Sequence, residues 1–485
     1  MTATAPSSSV GNHSSLRLLA EQAFSRAAGA PLVENNAVEL LIDARANFDA
    51  WLTAIRAARS AILFENYIFR DDEVGREFRD ALTERANAGV RVCVLRDWLG
   101  CRGQSSAAFW VPLIAAGGDV RVYNPPRFTS PFGWLSRDHR KLLVVDNTIG
   151  FVGGICVASK WLGDPQRKIA PWRDTAVALR GPAVLDLICA FADVWAQLGD
   201  ALPGDILEAG AHCVPSGHTD LRVVATVPNT AGLYRLDQLI AGMARTNLWL
   251  TDAYFVGITP YVQALAAAAR DGVDVRLLVP GTSDIRAVGS LSRAGYRPLL
   301  EGGVRVFEWT GSMLHAKTAV ADSRWARVGS SNLNMASWLG NCEIDVAIEN
   351  EAFARRMETQ YRSDLDNATE IVLKMSRRSR KTAAADNGKR PRAQGGSSSR
   401  AAASALRIAN SIGAAITNRR VLGPAESGPL LVAGIALFVA AVIAFIWPQV
   451  IAWPLGVLAT WIGVSLIARY VSTRKRPRPR RDHGD

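Results

Sequence analysis

The 485-residue chain reads as an α/β protein of two similar halves that form one active site, followed by a C-terminal transmembrane helical hairpin. Three observations predict this. A short pattern occurs twice, as His139-Arg140-Lys141 with Asp146 and as His315-Ala316-Lys317 with Asp322. Strand-like and helix-like stretches recur in the same order around each copy. Two long apolar runs lie near the C-terminus between basic flanks.

Each copy reads His-x-Lys-x4-Asp, and each reaches a small-residue turn seven residues after the Asp, at Gly153-Gly154 and at Gly329-Ser330. The residues after each His are apolar and partly β-branched, which favours a strand. Side chains alternate across a strand, so His139 shares a face with Lys141, and His315 with Lys317. An imidazole titrates near neutral pH and serves as nucleophile or proton shuttle. An ammonium holds a phosphate oxygen as a point charge. Glycine and serine at the turn let backbone N–H groups approach an anion closely. An Asp near an imidazole fixes its tautomer, so Asp146 and Asp322 are expected to orient the two rings. Two copies supply two His and two Lys around one phosphorus. Metal or cofactor chemistry is not called for, since the lysines supply the positive charge.

With these residues the chain resembles the phospholipase D superfamily, whose hallmark is the duplicated His-x-Lys-x4-Asp motif. The flanks are similar to bacterial cardiolipin synthases, in Ile62–Asp72, Ala88–Val92, Arg137–Lys141, Trp172-Arg173-Asp174, Ala253–Phe255, Gly272–Val275 and Leu314–Lys317. The resemblance covers roughly residues 35–370. It implies a phosphatidyltransferase that makes cardiolipin from phosphatidylglycerol or a related phospholipid through a phosphohistidine. By analogy His139 attacks and His315 is the acid/base, although the symmetry of the copies leaves the assignment open. Gly154, Ser330 and Asn332 would bind substrate. The family carries Asn three residues after the first glycine of the turn. Asn332 obeys, but Cys156 stands there in the first copy, and a thiol is a weak donor.

The halves match further. Ala58-Arg59 opens a strand-like run to Phe69, and Ala244-Arg245 opens one to Phe255. Helical stretches follow at about 74–88 and 259–271, then strands from Gly89 and Gly272, then strands from Gly118 and Gly303. Such alternation predicts α/β halves with parallel or mixed sheets. The expected division is a flexible N-terminus (1–34), a first half (35–200), a linker (201–217) and a second half (218–373). A basic linker with a candidate amphipathic helix (374–427), two transmembrane helices (428–470) and a basic cytoplasmic tail (471–485) follow. The loop Pro125–Trp134 adds aromatics near the first motif.

Charge separates body from tail. Residues 374–485 hold 19 Lys/Arg against 4 Asp/Glu, a net +15. The remaining 37 basic and 40 acidic residues leave the body at −3. A sequence-blind nuclease needs a basic catalytic surface, so no nucleic acid partner is expected. Leu406, Ile408, Ile412 and Ile416 fall near one helical face. Leu430–Trp447 and Val450–Ala468 are 18 and 19 uncharged residues. At 1.5 Å per residue each spans about 27 Å, close to a hydrocarbon core of roughly 30 Å. Pro448-Gln449 makes the turn, with Trp447 and Trp453 beside it. Basic residues on both sides place both ends in the cytoplasm, and residues 1–15 carry no secretory pattern. The expected setting is a multi-pass inner-membrane protein whose catalytic body meets an anionic membrane surface from the cytoplasmic side. The six Cys form no Cys-x-x-Cys pair and read as reduced thiols. A hydrolase releasing phosphatidic acid shares this chemistry. A nuclease of the superfamily or a non-catalytic membrane scaffold fits less well.

Overall fold

The computed structural model describes residues 21–126, 135–373 except 212, 419–422 and scattered positions between 435 and 467. The first half runs β1 (Val33–Ile42), β2 (Ala61–Asn66), β3 (Arg91–Asp97), β4 (Asp119–Tyr123), β5 (Lys141–Val145), β6 (Ile149–Gly153) and β7 (Thr175–Arg180). The second runs β8 (Thr219–Thr226), β9 (Asn247–Thr251), β10 (Asp274–Pro280), β11 (Arg305–Trp309), β12 (Thr318–Ala321), β13 (Trp325–Gly329) and β14 (Glu343–Glu349), with β15 (Ala368–Leu373) and β16 (Arg419–Leu422) at its edge.

The duplication is written in the strand order. From the centre outward the first half reads β1-β7-β6-β5-β2-β3-β4 and the second β8-β14-β13-β12-β9-β10-β11. They join where β1 pairs antiparallel with β8, so one mixed sheet crosses the molecule. Within each half β2-β3-β4 and β9-β10-β11 are parallel, fed by helices Glu73–Asn87 and Thr259–Arg270, as crossover connections require. The motif strands β5 and β12 are antiparallel to their neighbours. Parallel strands buried on both faces read as apolar runs, and β2 (Ala-Ile-Leu-Phe-Glu-Asn) is buried throughout.

The sheet curls so that β6 and β7 approach β13 and β14. Val152 and Val177 of one half then share a core with Val328 and Val346 of the other, closed by helices Val184–Trp195 and Glu351–Asp366. Helices Asp43–Ala57 and Glu73–Asn87 cover the outer face of the first half, and Gly232–Met243 and Thr259–Arg270 that of the second. Arg173 clamps the halves together, bonding both carboxylate oxygens of Asp364 at 2.8 and 2.9 Å.

Three boundaries differ from the sequence reading. Residues 21–28 are helical and Ala28 and Ala30 are buried, so only residues 1–20 of the expected flexible N-terminus lie outside the described residues. Within the expected linker 201–217, Gly204–Ala211 is a helix, and Ile206 joins the shared core. Within 374–427, Arg419–Leu422 pairs with β15 as a strand. The candidate amphipathic helix at 401–418 and most of the aromatic loop lie outside the described residues. Described positions between 435 and 467 are mostly helical, but no described helix is long and apolar enough to cross a membrane.

Candidate active site

The two motifs lie where the halves meet. His139 precedes β5, and its N–H donates to Cys342 O of the second half at 2.9 Å. His315 precedes β12, and its N–H donates to Arg173 O of the first half at 2.7 Å. The residue after each acceptor carries a carboxylate, and that carboxylate meets the ring. His139 Nδ1 lies 2.9 Å from Glu343 Oε2, and His315 Nδ1 lies 2.8 Å from Asp174 Oδ2. Each half therefore supplies a histidine to its own motif and a carboxylate to the other. All four side chains are buried.

The carboxylates are held in turn. Ser330 Oγ donates to Glu343 Oε2 at 2.6 Å, and Asn341 Nδ2 to Oε1 at 3.3 Å. Asp174 accepts from Trp161 Nε1 at 3.0 Å and from its neighbour's amide, Thr175 N, at 2.8 Å. This explains the small residues of the turn. A Cβ on Gly154 would stand 2.3 Å from Asp174 Oδ1. The amides of Gly154 and Ser330 donate to Thr175 O and Ile344 O, so they do not offer the anion contact expected of them. Gly154 makes room for one carboxylate and Ser330 binds the other.

The motif aspartates are also reassigned. Asp146 accepts from the backbone N–H groups of Arg59, Ser60 and Ala61 and from Ser60 Oγ. Asp322 does the same for Arg245, Thr246 and Asn247, and for Thr246 Oγ1. Neither reaches an imidazole. Each sits five residues beyond its Lys, at the far end of a strand, and about 3.3 Å per residue carries it roughly 16 Å past that Lys, away from the ring. Both adopt left-handed φ, 51° and 53°, as do their successors Asn147 and Ser323. Asp tolerates that region because its side chain bonds locally. Its place in the motif is to turn β5 into β6, and β12 into β13, while pinning the start of β2 or β9.

Lys141 Nζ donates to His139 O at 2.5 Å, and Lys317 Nζ bonds His315 O and lies 3.1 Å from His315 Nε2. Burial and Lys317 push the His315 pKa down to about 3 against the opposing pull of Asp174. Burial also lowers that of His139, with Glu343 opposing and Lys141 assisting. Burial would raise Asp174, but His315 and Lys317 hold it at about 2. Burial pushes Lys317 down to about 8. At neutral pH both imidazoles are thus uncharged, each giving its Nδ1 hydrogen to an ionised carboxylate and keeping a lone pair on Nε2.

Both rings open on a cavity of about 580 Å³ lined by Tyr67, Cys156, Lys160, Trp161, Trp172, Tyr254 and Asn332 among others. Tyr67 stands edge-on to His139 at 4.8 Å, and Trp161 and Trp172 flank His315 at 5.3 and 5.7 Å. Asn332 is buried, and its Oδ1 has no hydrogen-bond partner among the described residues. Cys156, in the matching frame, is also buried. The arrangement suits in-line displacement at a phosphodiester, with one imidazole on each side.

Comparison with known proteins agrees with this geometry. A family model described as "Cardiolipin synthase, PLD-like domain" matches residues 51–160 and 238–365, one segment in each half and each with a His-x-Lys-x4-Asp motif. Cardiolipin synthase A of Pseudomonas fluorescens is 35% identical over 361 residues, covering 72% of this chain and 73% of that protein. The chain belongs to the cardiolipin synthase family. Cardiolipin synthase A of Pseudomonas aeruginosa is 36% identical, covering 72% of this chain and 71% of its own length. The Clostridium perfringens cardiolipin synthase is 32% identical over 70% and 72%. Among solved structures, phosphatidylserine synthase of Haemophilus influenzae shares the fold, with a TM-score of 0.56 at 15% identity, covering 72% of this chain and 91% of that one. Within this family member Asp174 and Glu343 are the site residues that motif reading leaves out. Their signal is faint: a carboxylate at the start of the next strand after each small-residue turn, just before β7 in one half and first in β14 in the other.

Proposed function

We propose that this protein is a membrane-anchored phosphatidyltransferase that converts two phosphatidylglycerol molecules into cardiolipin and glycerol through a phosphohistidine. The convergence of two uncharged imidazoles from opposite halves on one cavity carries the reading. His139 Nε2 attacks phosphorus, an N–P bond forms, and the bond to the glycerol oxygen breaks. The entering anion raises the proton affinity of His315, whose Nε2 takes a proton from solvent and gives it to the leaving oxygen. The acceptor hydroxyl returns a proton to His315, its oxygen attacks phosphorus, and the N–P bond breaks. Lys141, Lys317 and Asn332 hold the phosphate oxygens. Glu343 and Asp174 keep each ring in the tautomer with Nε2 free.

The setting is the cytoplasmic face of the inner membrane. Described residues Phe438, Phe445, Trp447 and Trp453 are all more than half exposed, which suits a hairpin surrounded by lipid. At the cavity wall, Ile285 and Met335 are about half exposed, 48% and 49%, which suits contact with a bilayer surface. The tail's net +15 suits anionic lipid.

The test is incubation of the full chain with phosphatidylglycerol vesicles. Cardiolipin and glycerol are expected in equal amounts, and His139→Ala or His315→Ala should abolish both. Phosphatidic acid without cardiolipin would make the protein a hydrolase, and near-normal turnover by either variant would sink the shared-site mechanism.

A further inference from the structure

The mechanism leaves two cations of the cavity unused, Arg102, which is exposed, and Lys160, which is half-buried. Lys160 lines the cavity from the first half, just after the Gly153-Gly154 turn. In the matching frame the second half has Ala336, so this cation belongs to one side of the cavity alone. Its Nζ lies 4.6 Å from the Trp161 ring and 4.4 Å from the Trp172 ring. Both rings also flank His315. The ammonium is thus caged beside the acid/base histidine. Among the described residues Lys160 forms no ion pair within 4 Å. Asp284, the acidic group that acts on it across the cavity, accepts a hydrogen bond from Tyr254 Oη at 2.7 Å. Burial lowers the Lys160 pKa, so an anion arriving beside it would be welcome.

The proposed reaction brings such an anion. In phosphatidylglycerol the terminal hydroxyl and the lipid's own phosphodiester are joined by one glycerol. An acceptor that presents this hydroxyl to the phosphohistidine must bring a second negative charge into the cavity. Lys141 and Lys317 are committed to the first phosphate. We propose that Lys160 binds the phosphodiester of the acceptor lipid and so selects an anionic glycerophospholipid over a neutral alcohol or water. This rests on the transferase reading. Trp161 and Trp172 hold the ammonium in place through their ring faces.

The test measures partition from the common phosphohistidine, where any effect on donor binding cancels. The full chain is given phosphatidylglycerol in mixed micelles containing ethanol, and cardiolipin and phosphatidylethanol are quantified together. Lys160→Gln is expected to shift the product ratio toward phosphatidylethanol by about tenfold or more, the size of one lost charge-assisted contact. Lys160→Arg is expected to restore most of the cardiolipin share. An unchanged ratio in Lys160→Gln, whether or not both rates fall, overturns the proposal and leaves the transferase reading standing. A wild-type protein that makes phosphatidylethanol but no cardiolipin overturns both.

Discussion

Glu343 of the second half lies 2.9 Å from Nδ1 of His139 in the first, and Asp174 of the first lies 2.8 Å from Nδ1 of His315 in the second. Neither half alone has a complete histidine–carboxylate pair. Glu343→Gln should keep the volume but remove the charge that fixes the ring, and the same holds for Asp174→Asn. Loss of the correct tautomer costs on the order of 10²–10⁴ in kcat in such pairs. Each variant should show that fall in cardiolipin formation while circular dichroism reports a folded chain. A folded Glu343→Gln protein with wild-type kcat would show that the crossed pairing is structural only.

The duplicated motif and the strand alternation were legible because both are local: each motif sits in eight residues, and each strand–helix unit in about thirty. The crossed carboxylates were not, since Asp174 and Glu343 lie 141 and 204 residues from the rings they bind. Sequence spacing along one strand cannot report a contact across the curled sheet. Asp146 and Asp322 misled for the opposite reason. Their nearness in sequence suggested nearness in space, but an extended strand carries them away from the histidines. Register along β5 and β12 excludes them, and their left-handed φ reveals a turn role that motif reading does not encode.

That turn role predicts a stability phenotype. Asp146 and Asp322 each accept from three backbone N–H groups and one hydroxyl, at partly exposed positions. Asp146→Ala or Asp322→Ala should cost about 1–3 kcal/mol, with an Ala also placed in left-handed backbone. Thermal denaturation should show a Tm lowered by several degrees. Cardiolipin synthesis by the folded fraction should fall far less than in the histidine variants. An unshifted Tm with abolished turnover would return these residues to the chemistry.

The buried titratable groups set the pH response. Folding holds His315 neutral down to about pH 3, whereas an unfolded chain protonates it near 6.5. Below about 6.5 the unfolded state therefore takes up a proton that the native state refuses. This histidine's contribution is full above that pH and is lost as pH falls toward 3. Asp174, held at about 2, acts in the same direction at still lower pH, its contribution fading as pH falls through the folded value. On the alkaline side Lys317, pushed down to about 8, should lose its proton and its hold on the phosphate. Thus kcat/KM should decline above about pH 8, and the limb in kcat should lie higher, because bound phosphate stabilises the ammonium. Lys317→Arg should remove the alkaline limb, whatever its absolute rate, since a guanidinium stays charged. A limb that persists in that variant would assign it to another group.

The unequal copies give a last comparison. Asn332 and Cys156 occupy matching positions, and both line the catalytic cavity. Asn332 is buried, its Oδ1 has no partner among the described residues, and in the proposed mechanism its Nδ2 donates to the phosphate. A donor that contacts the charged phosphate is worth about 1.5–3 kcal/mol, so Asn332→Ala should cut kcat/KM roughly ten- to a hundredfold. A thiol donates weakly, so Cys156→Ala should cost less than about threefold. Cys156→Asn introduces a second amide of nearly the same size. If phosphate is held from one side only because of that cysteine, this variant should raise kcat/KM. A loss in Cys156→Ala as large as that in Asn332→Ala would mean that the thiol, not the second-half amide, carries part of the phosphate contact.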